Sequence, residues 1–424
     1  MKCLFCCEFY YPSVGGVQMV MQQIAERLVE KGHEVTVATT KLAEREERSI
    51  NGVEIVEFNV TGNLAKGLDG EVQEYQSFLK NFDADVLLIK AAQQWTFDAA
   101  CGVLDEIRMK TVFIPCGFSG LRRGLYQKYY EEMPNILKKI DHLIFYSSDY
   151  QDIDFARKEG LENYSVVPNG ASESEFGRYP ADNDIREKLD ISPEAFVFLT
   201  VGARNGQKGH AEVAEAFSRM QNTTEAQITL ILNGNIVTKK KNERKKGLMR
   251  KLRRSVKILL NLLLPNKIVL RNQEDRIFVS KIRCKLRRKF QLIETDLKRR
   301  DLVKLLFTSN LFVFASKTEY SPLVLFESAA AGTPILTVPV GNAEEILSWT
   351  KGGYLCPCEK DEVGNTNVDS AILAEHMTYA LSHQHEMCQM GVMGREAWAK
   401  EFTWETITER YEAILQATLN SEAA

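Results

Sequence analysis

Residues 2–40 set an apolar run, a glycine pair, an amphipathic stripe and a second apolar run in direct succession. Residues 2–7 are apolar enough for a buried strand, and Gly15 and Gly16 make a turn. Val17, Val20, Met21, Ile24, Leu28 and Val29 then recur at helical spacing until Gly32, after which 34–39 return as a strand. This is a βαβ unit with its glycines at the end of the first strand, where an open parallel sheet binds ligands. Apolar strands at 85–89, 111–115, 142–146 and 165–167 extend the alternation into one doubly wound domain. Pro168, Asn169 and Gly170 form a turn, and the polar stretch 180–193 is the connection to a second domain.

The pattern then repeats. A strand over 196–201 runs into the loop 202–209 and a helix whose apolar face carries Ala211, Ala214 and Phe217. Further strands are expected at 227–233, 289–293, 311–315 and 334–339, with helices at 301–310 and 322–331. At 424 residues and 48.2 kDa the chain is long for one core, so two domains are expected. The fold class is α/β, with two Rossmann-like doubly wound parallel-sheet halves that bind a ligand in the cleft they face. The boundaries read as 1–175, 176–401 with a basic insertion at 239–288, and 402–424, a last helix expected to return to the first domain.

Nine cysteines follow no paired framework, and several sit in apolar runs, as buried thiols of a reducing compartment do. Their spacing lacks the histidine partners of a zinc site, so no metal is expected on them, and no cofactor is expected in the chain. The start of the chain has no h-region, and no apolar run is long enough to span a bilayer. The expected location is the cytoplasm, with peripheral association at the inner face of the membrane as an open extension. Residues 239–300 hold 23 Lys or Arg against 5 Asp or Glu, a net +18 that leaves the other 362 residues at −21. Within that segment Leu248, Leu252, Val256, Leu259, Leu260 and Leu263 recur at helical spacing among Arg250, Lys251, Arg253, Arg254 and Lys257. Such a helix over 239–265 lies on an anionic membrane surface or packs its stripe on the second domain. Without an aromatic stacking platform, nucleic acid is not an expected partner.

Residues 319–332, Glu-Tyr-Ser-Pro-Leu-Val-Leu-Phe-Glu-Ser-Ala-Ala-Ala-Gly, set a strand-end carboxylate before a helix built to face an anion. Ser321 fits the N-cap and Pro322 the first helical position, so the amides of Leu323 and Val324 face forward with the positive end of the helix dipole. Glu327 lies within the helix, which Gly332 and Pro334 end, so Glu319 and Glu327 bracket one anion site. A nucleotide diphosphate sugar has hydroxyls on both sides of its phosphates. The competing reading makes Glu319 a loop cap and Glu327 a solvated helix residue.

Four further landmarks are Tyr11-Pro12-Ser13-Val14-Gly15-Gly16-Val17, the loop Val201-Gly202-Ala203-Arg204-Asn205-Gly206-Gln207-Lys208-Gly209-His210, the pair Glu319 and Glu327, and Phe402-Thr403-Trp404. Together and in this order they resemble a retaining glycosyltransferase of the GT-B fold, family 4. The resemblance covers nearly the whole chain apart from the basic insertion. It implies transfer of a hexosyl unit from a nucleotide diphosphate sugar to a hydroxyl of a glycan or glycolipid, of the cell-surface polysaccharide or lipopolysaccharide type. It also implies metal-free electrostatic catalysis, in which Arg204 and Lys208 supply cations to the departing diphosphate. Glu327 would take the ribose hydroxyls, Glu319 a hydroxyl of the transferred sugar, and Gly15 and Gly16 would let the backbone approach the diphosphate.

The chain departs from that family in two places. The spacing from Arg204 to Lys208 is one residue shorter than in many members. Where many carry a histidine after the strand at 85–89, this chain runs Lys90-Ala91-Ala92-Gln93-Gln94-Trp95, and Cys116 stands where some relatives have another histidine. Lys90, Gln94 and Cys116 are therefore the acceptor-side candidates, with Cys116 as a wall residue rather than a nucleophile. Asp83-Ala84-Asp85 reads as a turn. The same fold also serves nucleotide-sugar epimerases and phosphorylases, and a catalytically silent, membrane-bound nucleotide-sugar-binding scaffold is the alternative of another class.

Overall fold

The computed structural model describes residues 1–182, 184–221, 225–235, 255–261, 270 and 272–421. The chain forms two compact units. The first comprises Met1–Ala171, Tyr320–Leu323 and Lys400–Ala424, and the second Ser172–Glu319 and Val324–Ala399.

The first unit is built on an eight-stranded sheet. Its strands are β1 (Lys2–Cys6), β2 (Glu34–Thr40), β3 (Ser49–Ile50), β4 (Val53–Phe58), β7 (Val86–Lys90), β8 (Lys110–Ile114), β9 (His142–Phe145) and β10 (Tyr164–Val166). Between β4 and β7 lies a separate hairpin of β5 (Val60–Asn63) and β6 (Gly67–Gly70). The order β10-β9-β8-β7-β1-β2-β4-β3 is parallel except for β3 against β4. Chain order reverses between β1 and β7, where Cys6 pairs with Ile89, so the loops leaving these two strands border a topological switch point.

Alternation along each strand sorts the core into two faces. Leu4, Cys6, Leu87 and Ile89 join Trp95, Phe97 and Phe113 on one side. Cys3, Phe5, Cys7, Val86 and Leu88 join Val20, Met21, Ile24 and Leu28 on the other. That second face also receives Trp404, Ile407, Tyr411 and Leu415, a stripe along the last helix, Trp404–Asn420. Each is fully or almost fully buried, worth about 2 kcal/mol apiece, and Thr403 caps the helix by accepting from the Thr406 amide.

The second unit holds a six-stranded parallel sheet of β11 (Phe196–Val201), β12 (Ile228–Asn233), β13 (Phe290–Thr295), β14 (Leu311–Phe314), β15 (Ile335–Thr337) and β16 (Gly353–Leu355). Its order, β13-β12-β11-β14-β15-β16, again reverses once, between β11 and β14. Helix Gln273–Lys285, grouped with the basic insertion because of its charge, is the crossover that carries the chain from β12 to β13. Asn272 caps it through its side chain. Most of 239–265 lies outside the described residues; within it 255–261 is helical, with Val256, Leu259 and Leu260 exposed.

Candidate functional site

The loops leaving β11 and β14 meet at the switch point of the second unit, and close backbone approach makes the meeting possible. Gly209 has φ of 72°, and a Cβ there would lie 2.0 Å from the Ala315 carbonyl oxygen, so no other residue fits. The Lys317 amide donates to the Gln207 carbonyl at 2.7 Å, and the Ser316 hydroxyl oxygen lies 3.2 Å from the same carbonyl oxygen. Lys208 and Glu319 are brought together by this weave: Nζ donates to Oε1 at 2.5 Å, and the Ser316 hydroxyl donates to that Oε1 at 2.7 Å.

Arg204, on the same loop, is placed differently. Its guanidinium is buried, and Nη2 pairs with Glu294 at 2.8 Å and Glu274 at 3.1 Å. Nε and Nη1 have no hydrogen-bond partner among the described residues. Two donors are therefore buried and unused, while the charge is held by carboxylates that no spacing argument on the loop could have named. His210 is buried too, its pKa held down to about 4 by burial, so it is neutral.

The helix that follows Glu319 spans Leu323–Ala331, one residue later than the expected start. Ser321 does not cap it: its hydroxyl is buried with no hydrogen-bond partner among the described residues, and Asn169 binds its carbonyl at 3.1 Å. Proline at 322 fixes the entry without help from the serine. The helix ends at Gly332, φ 74°, as expected. Glu327 sits on it, paired through Oε1 with Arg299 Nη2 at 2.7 Å. Arg299 opens the helix after β13 and also grips both oxygens of Glu175, at 2.8 and 2.6 Å. The sequence reading missed Arg299 and Glu175, since only the folded sheet brings residues 175, 299 and 327 together.

In the first unit Gly15 precedes and Gly16 opens helix Gly16–Glu30, the N-terminal end of which follows β1. Lys90 closes β7 and is 1% exposed, with Nζ lacking a hydrogen-bond partner among the described residues and lying 5.1 Å from the centre of the Tyr146 ring. Burial lowers its pKa to about 8. Gln94 Oε1 and Gln93 Nε2 are likewise buried without partners among the described residues. Cys116 follows β8, and burial pushes its thiol up to about 11, so it is no thiolate. Gly117, φ 84°, lies so close to Tyr320 that a Cβ would meet its ring at 2.8 Å. Asp83 and Asp85 lie at the amino end of the sheet, where Lys2 binds both, Asp83 by its side chain and Asp85 by its amide. Among the described residues no cluster of three His, Cys, Asp or Glu could hold a metal ion, and no helix is long and apolar enough to cross a membrane.

Two family models match, in tandem. Residues 14–175 match Glycosyltransferase Family 4 and 181–386 match Glycosyl transferases group 1. The N-acetyl-alpha-D-glucosaminyl L-malate synthase of Bacillus anthracis is 30% identical over 125 residues, a stretch that spans 30% of this chain and 30% of that enzyme. Sucrose-phosphate synthase from Thermosynechococcus elongatus superposes with a TM-score of 0.70 at 17% identity, over 98% of both chains. The Anabaena protein HepE, solved in complex with UDP and glucose, superposes with a TM-score of 0.67 at 16% identity, over 98% of this chain and 100% of that one. At those identities the structures speak for the fold, which is GT-B, and the tandem models supply the family. With its two switch points and its Lys208, Glu319 and Glu327 side chains on the carboxyl edge of the second sheet, the chain belongs to the group 1, family 4 glycosyltransferases.

Proposed function

We propose that the chain is a retaining, metal-independent hexosyltransferase that moves a sugar from a nucleotide diphosphate donor to a hydroxyl of a glycan or glycolipid. The observation that carries this reading is Lys208 against Glu319 at 2.5 Å on the switch-point loops of the second unit. A cation and a hydroxyl acceptor stand side by side there, which suits a diphosphate whose neighbour is a sugar. UDP and UDP-glucose in the Anabaena structures support a nucleotide-sugar donor. In the proposed step the C1 to phosphate bond breaks with its electron pair leaving on the diphosphate. The acceptor oxygen bonds C1 on the same face, and its proton passes to the departing phosphate oxygen. Lys208 and the two unused donors of Arg204 offset the growing charge, Leu323 and Val324 offer amides, Glu319 holds the sugar and Glu327 the ribose. Exposed Val256, Leu259 and Leu260, within the strongly basic stretch, support an anionic membrane surface as a partner.

The test is thermal stabilisation by UDP, GDP, ADP and their common sugars without added metal, followed by transfer with anomeric analysis of the product. A selective shift lost in Lys208→Ala and Glu327→Ala, with retained configuration, is expected. Inverted product, or no shift with any nucleotide, would overturn the reading. Donor binding without transfer or hydrolysis across a broad acceptor panel would favour the silent scaffold.

A further inference from the structure

Lys90 has no place in the donor chemistry, and its surroundings are unusual for a structural lysine. It stands at the carboxyl end of β7, beside the switch point of the first sheet. Strand alternation continues Val86 and Leu88 onto the face where Cys7, Tyr10 and Tyr146 pack, so the ammonium group is delivered into that layer. No carboxylate meets it: its Nζ has no hydrogen-bond partner among the described residues, and the ring of Tyr146 is a weak substitute at 5.1 Å. The thiols of Cys7 and Cys116 act on it electrostatically, but burial holds both protonated, near 12 and 11, so neither supplies a counter-charge at neutral pH.

The backbone around it is strained as well. Ala91 and Gln93, in the loop after β7, have φ of 72° and 64°, while Cys116 and Phe118, after β8, have 59° and 47°. Four of the seven non-glycine residues with positive φ among the described residues thus fall in two adjacent loops, at the edge where a parallel sheet binds ligands. In the first of these loops Gln94 Oε1 and Gln93 Nε2 are buried without partners among the described residues. A buried cation left unpaired costs several kcal/mol, and nothing in the donor chemistry offsets that cost.

We propose that the loops after β7 and β8 form an anion subsite in which Lys90 takes a carboxylate or phosphate group carried by the acceptor. Lys90 provides the charge, Gln93 Nε2 a further donor, and Gln94 Oε1 an acceptor for a neighbouring hydroxyl. The four-carbon stem gives Nζ the reach to rise to an incoming group from where it now lies. The inference deepens the transferase reading, since it names the chemical class of the acceptor.

The experiment has two arms. In the first, inorganic phosphate and malonate are titrated against the full chain, Lys90→Met and Lys208→Ala, following thermal stability. A component of the shift lost in Lys90→Met and kept in Lys208→Ala is expected, any component lost in Lys208→Ala belonging to the diphosphate site, and whichever anion supplies the Lys90 component distinguishes phosphate from carboxylate. Equal shifts in the full chain and Lys90→Met, or no shift with either anion, overturn the subsite. In the second, transfer to glucose, glucose 6-phosphate and glucuronate is compared. The KM for the charged acceptor is expected to rise about 10- to 100-fold in Lys90→Met, the range of one charge-assisted hydrogen bond, with that for glucose unchanged. Equal losses for charged and neutral acceptors would make Lys90 merely structural. Nucleotide-induced stabilisation in both proteins reports on the donor site separately, so failure of the transferase reading shows there while the anion arm still decides the subsite.

Discussion

Lys208 Nζ lies 2.5 Å from Glu319 Oε1, although 111 residues separate them, because the loops leaving β11 and β14 flank the point where the second sheet reverses its order. The pair is largely shielded, 27% and 13% exposed, and Ser316 donates a second hydrogen bond to the same carboxylate oxygen. Removing the lysine leaves Glu319 still hydrogen-bonded, whereas removing the carboxylate strands a cation. The two halves of the pair are therefore unequal in their structural consequences.

Lys208→Ala is expected to lower kcat by about 10²- to 10³-fold, the usual loss for one electrostatic stabiliser of a leaving group, while Tm moves little. Glu319→Gln should cost less in kcat and more in KM for the sugar donor, since the lysine keeps its place. Steady-state kinetics with circular-dichroism melting checks both, and equal losses of kcat and Tm in Lys208→Ala would point to a packing role.

Arg299 predicts a ribose effect. With Oε1 of Glu327 held by Nη2 at 2.7 Å and Glu175 gripping the guanidinium from the other side, one oxygen of Glu327 is committed and its plane is fixed. Arg299→Met is expected to weaken nucleoside diphosphate binding about tenfold and to erase the preference for ribose over deoxyribose, with Arg299→Lys recovering part of it. Calorimetric titration with the ribo- and deoxyribonucleotides decides this; unchanged discrimination in Arg299→Met would remove Arg299 from the site.

How much of this was legible before folding differs from residue to residue. Residues 196–201 read directly as β11, and every parallel strand of the first sheet from β7 to β10 was found within one residue, since each is a short apolar run between turn signals. Strand β4, Val-Glu-Ile-Val-Glu-Phe, alternates at the sheet margin and was missed, as was the hairpin of β5 and β6, whose glycine-rich strands carry almost no hydrophobic pattern. Glu319 and Lys208 announce themselves because each lies in a loop that leads from a strand into a helix. Arg299, Glu274 and Glu294 do not, because an ion pair across a sheet edge leaves no local trace. The serine cap at 321 failed for a related reason: Asn169, distant in sequence, holds its backbone instead.

Arg204 should report on stability as much as on catalysis. Its side chain is 1% exposed and bridges Glu274 and Glu294, so Arg204→Met leaves Glu294 with Lys281 alone, at 3.1 Å. Breaking a buried pair from one side costs about 3–5 kcal/mol, reduced here because Glu274 is half exposed and Lys281 remains. The expected outcome is a clear fall in the urea midpoint with an unchanged slope, whereas Lys208→Ala leaves that midpoint nearly where it was. Matching midpoints for the two variants would refute the assignment of Arg204 to a buried network.

Asp152 gives a pH signature in the first unit. It is fully buried, accepts from the Gly117 amide at 2.8 Å and faces Tyr320, and burial raises its pKa from 3.8 to about 6. Between those two values the unfolded chain has released the proton and the folded chain has kept it, so this residue's contribution to stability is complete below about pH 4 and is lost as the pH rises through 6. A shift of that size corresponds to roughly 3 kcal/mol at most. The stability of the wild-type chain relative to Asp152→Asn is therefore expected to fall across pH 4–6 and to be flat on either side. Urea denaturation of both proteins through that range measures it, and a difference that rises with pH would reverse the assigned sign.

Residues 255–261 form a helical segment with an exposed apolar side. Val256, Leu259 and Leu260 are 47%, 57% and 37% exposed on one short helix, yet Asn261 at its end is buried, with its carbonyl and side chain both held by Arg283. The helix is thus fastened at one end while its apolar side faces outward, in a stretch of chain whose net charge is +18. An apolar side without cover costs little until it finds a surface, and lysines and arginines around it add about 1 kcal/mol each near anionic lipid. The chain is expected to sediment with vesicles containing phosphatidylglycerol and not with neutral phosphatidylcholine, and to be released as salt shortens the Debye length. Leu259→Asp with Leu260→Asp should abolish sedimentation while leaving nucleotide-induced stabilisation intact, because both residues are remote in sequence from Lys208, Glu319 and Glu327 and make no part of that site. Binding to neutral and anionic vesicles alike would remove the electrostatic half of the argument, and sedimentation that survives the double substitution would remove the apolar half.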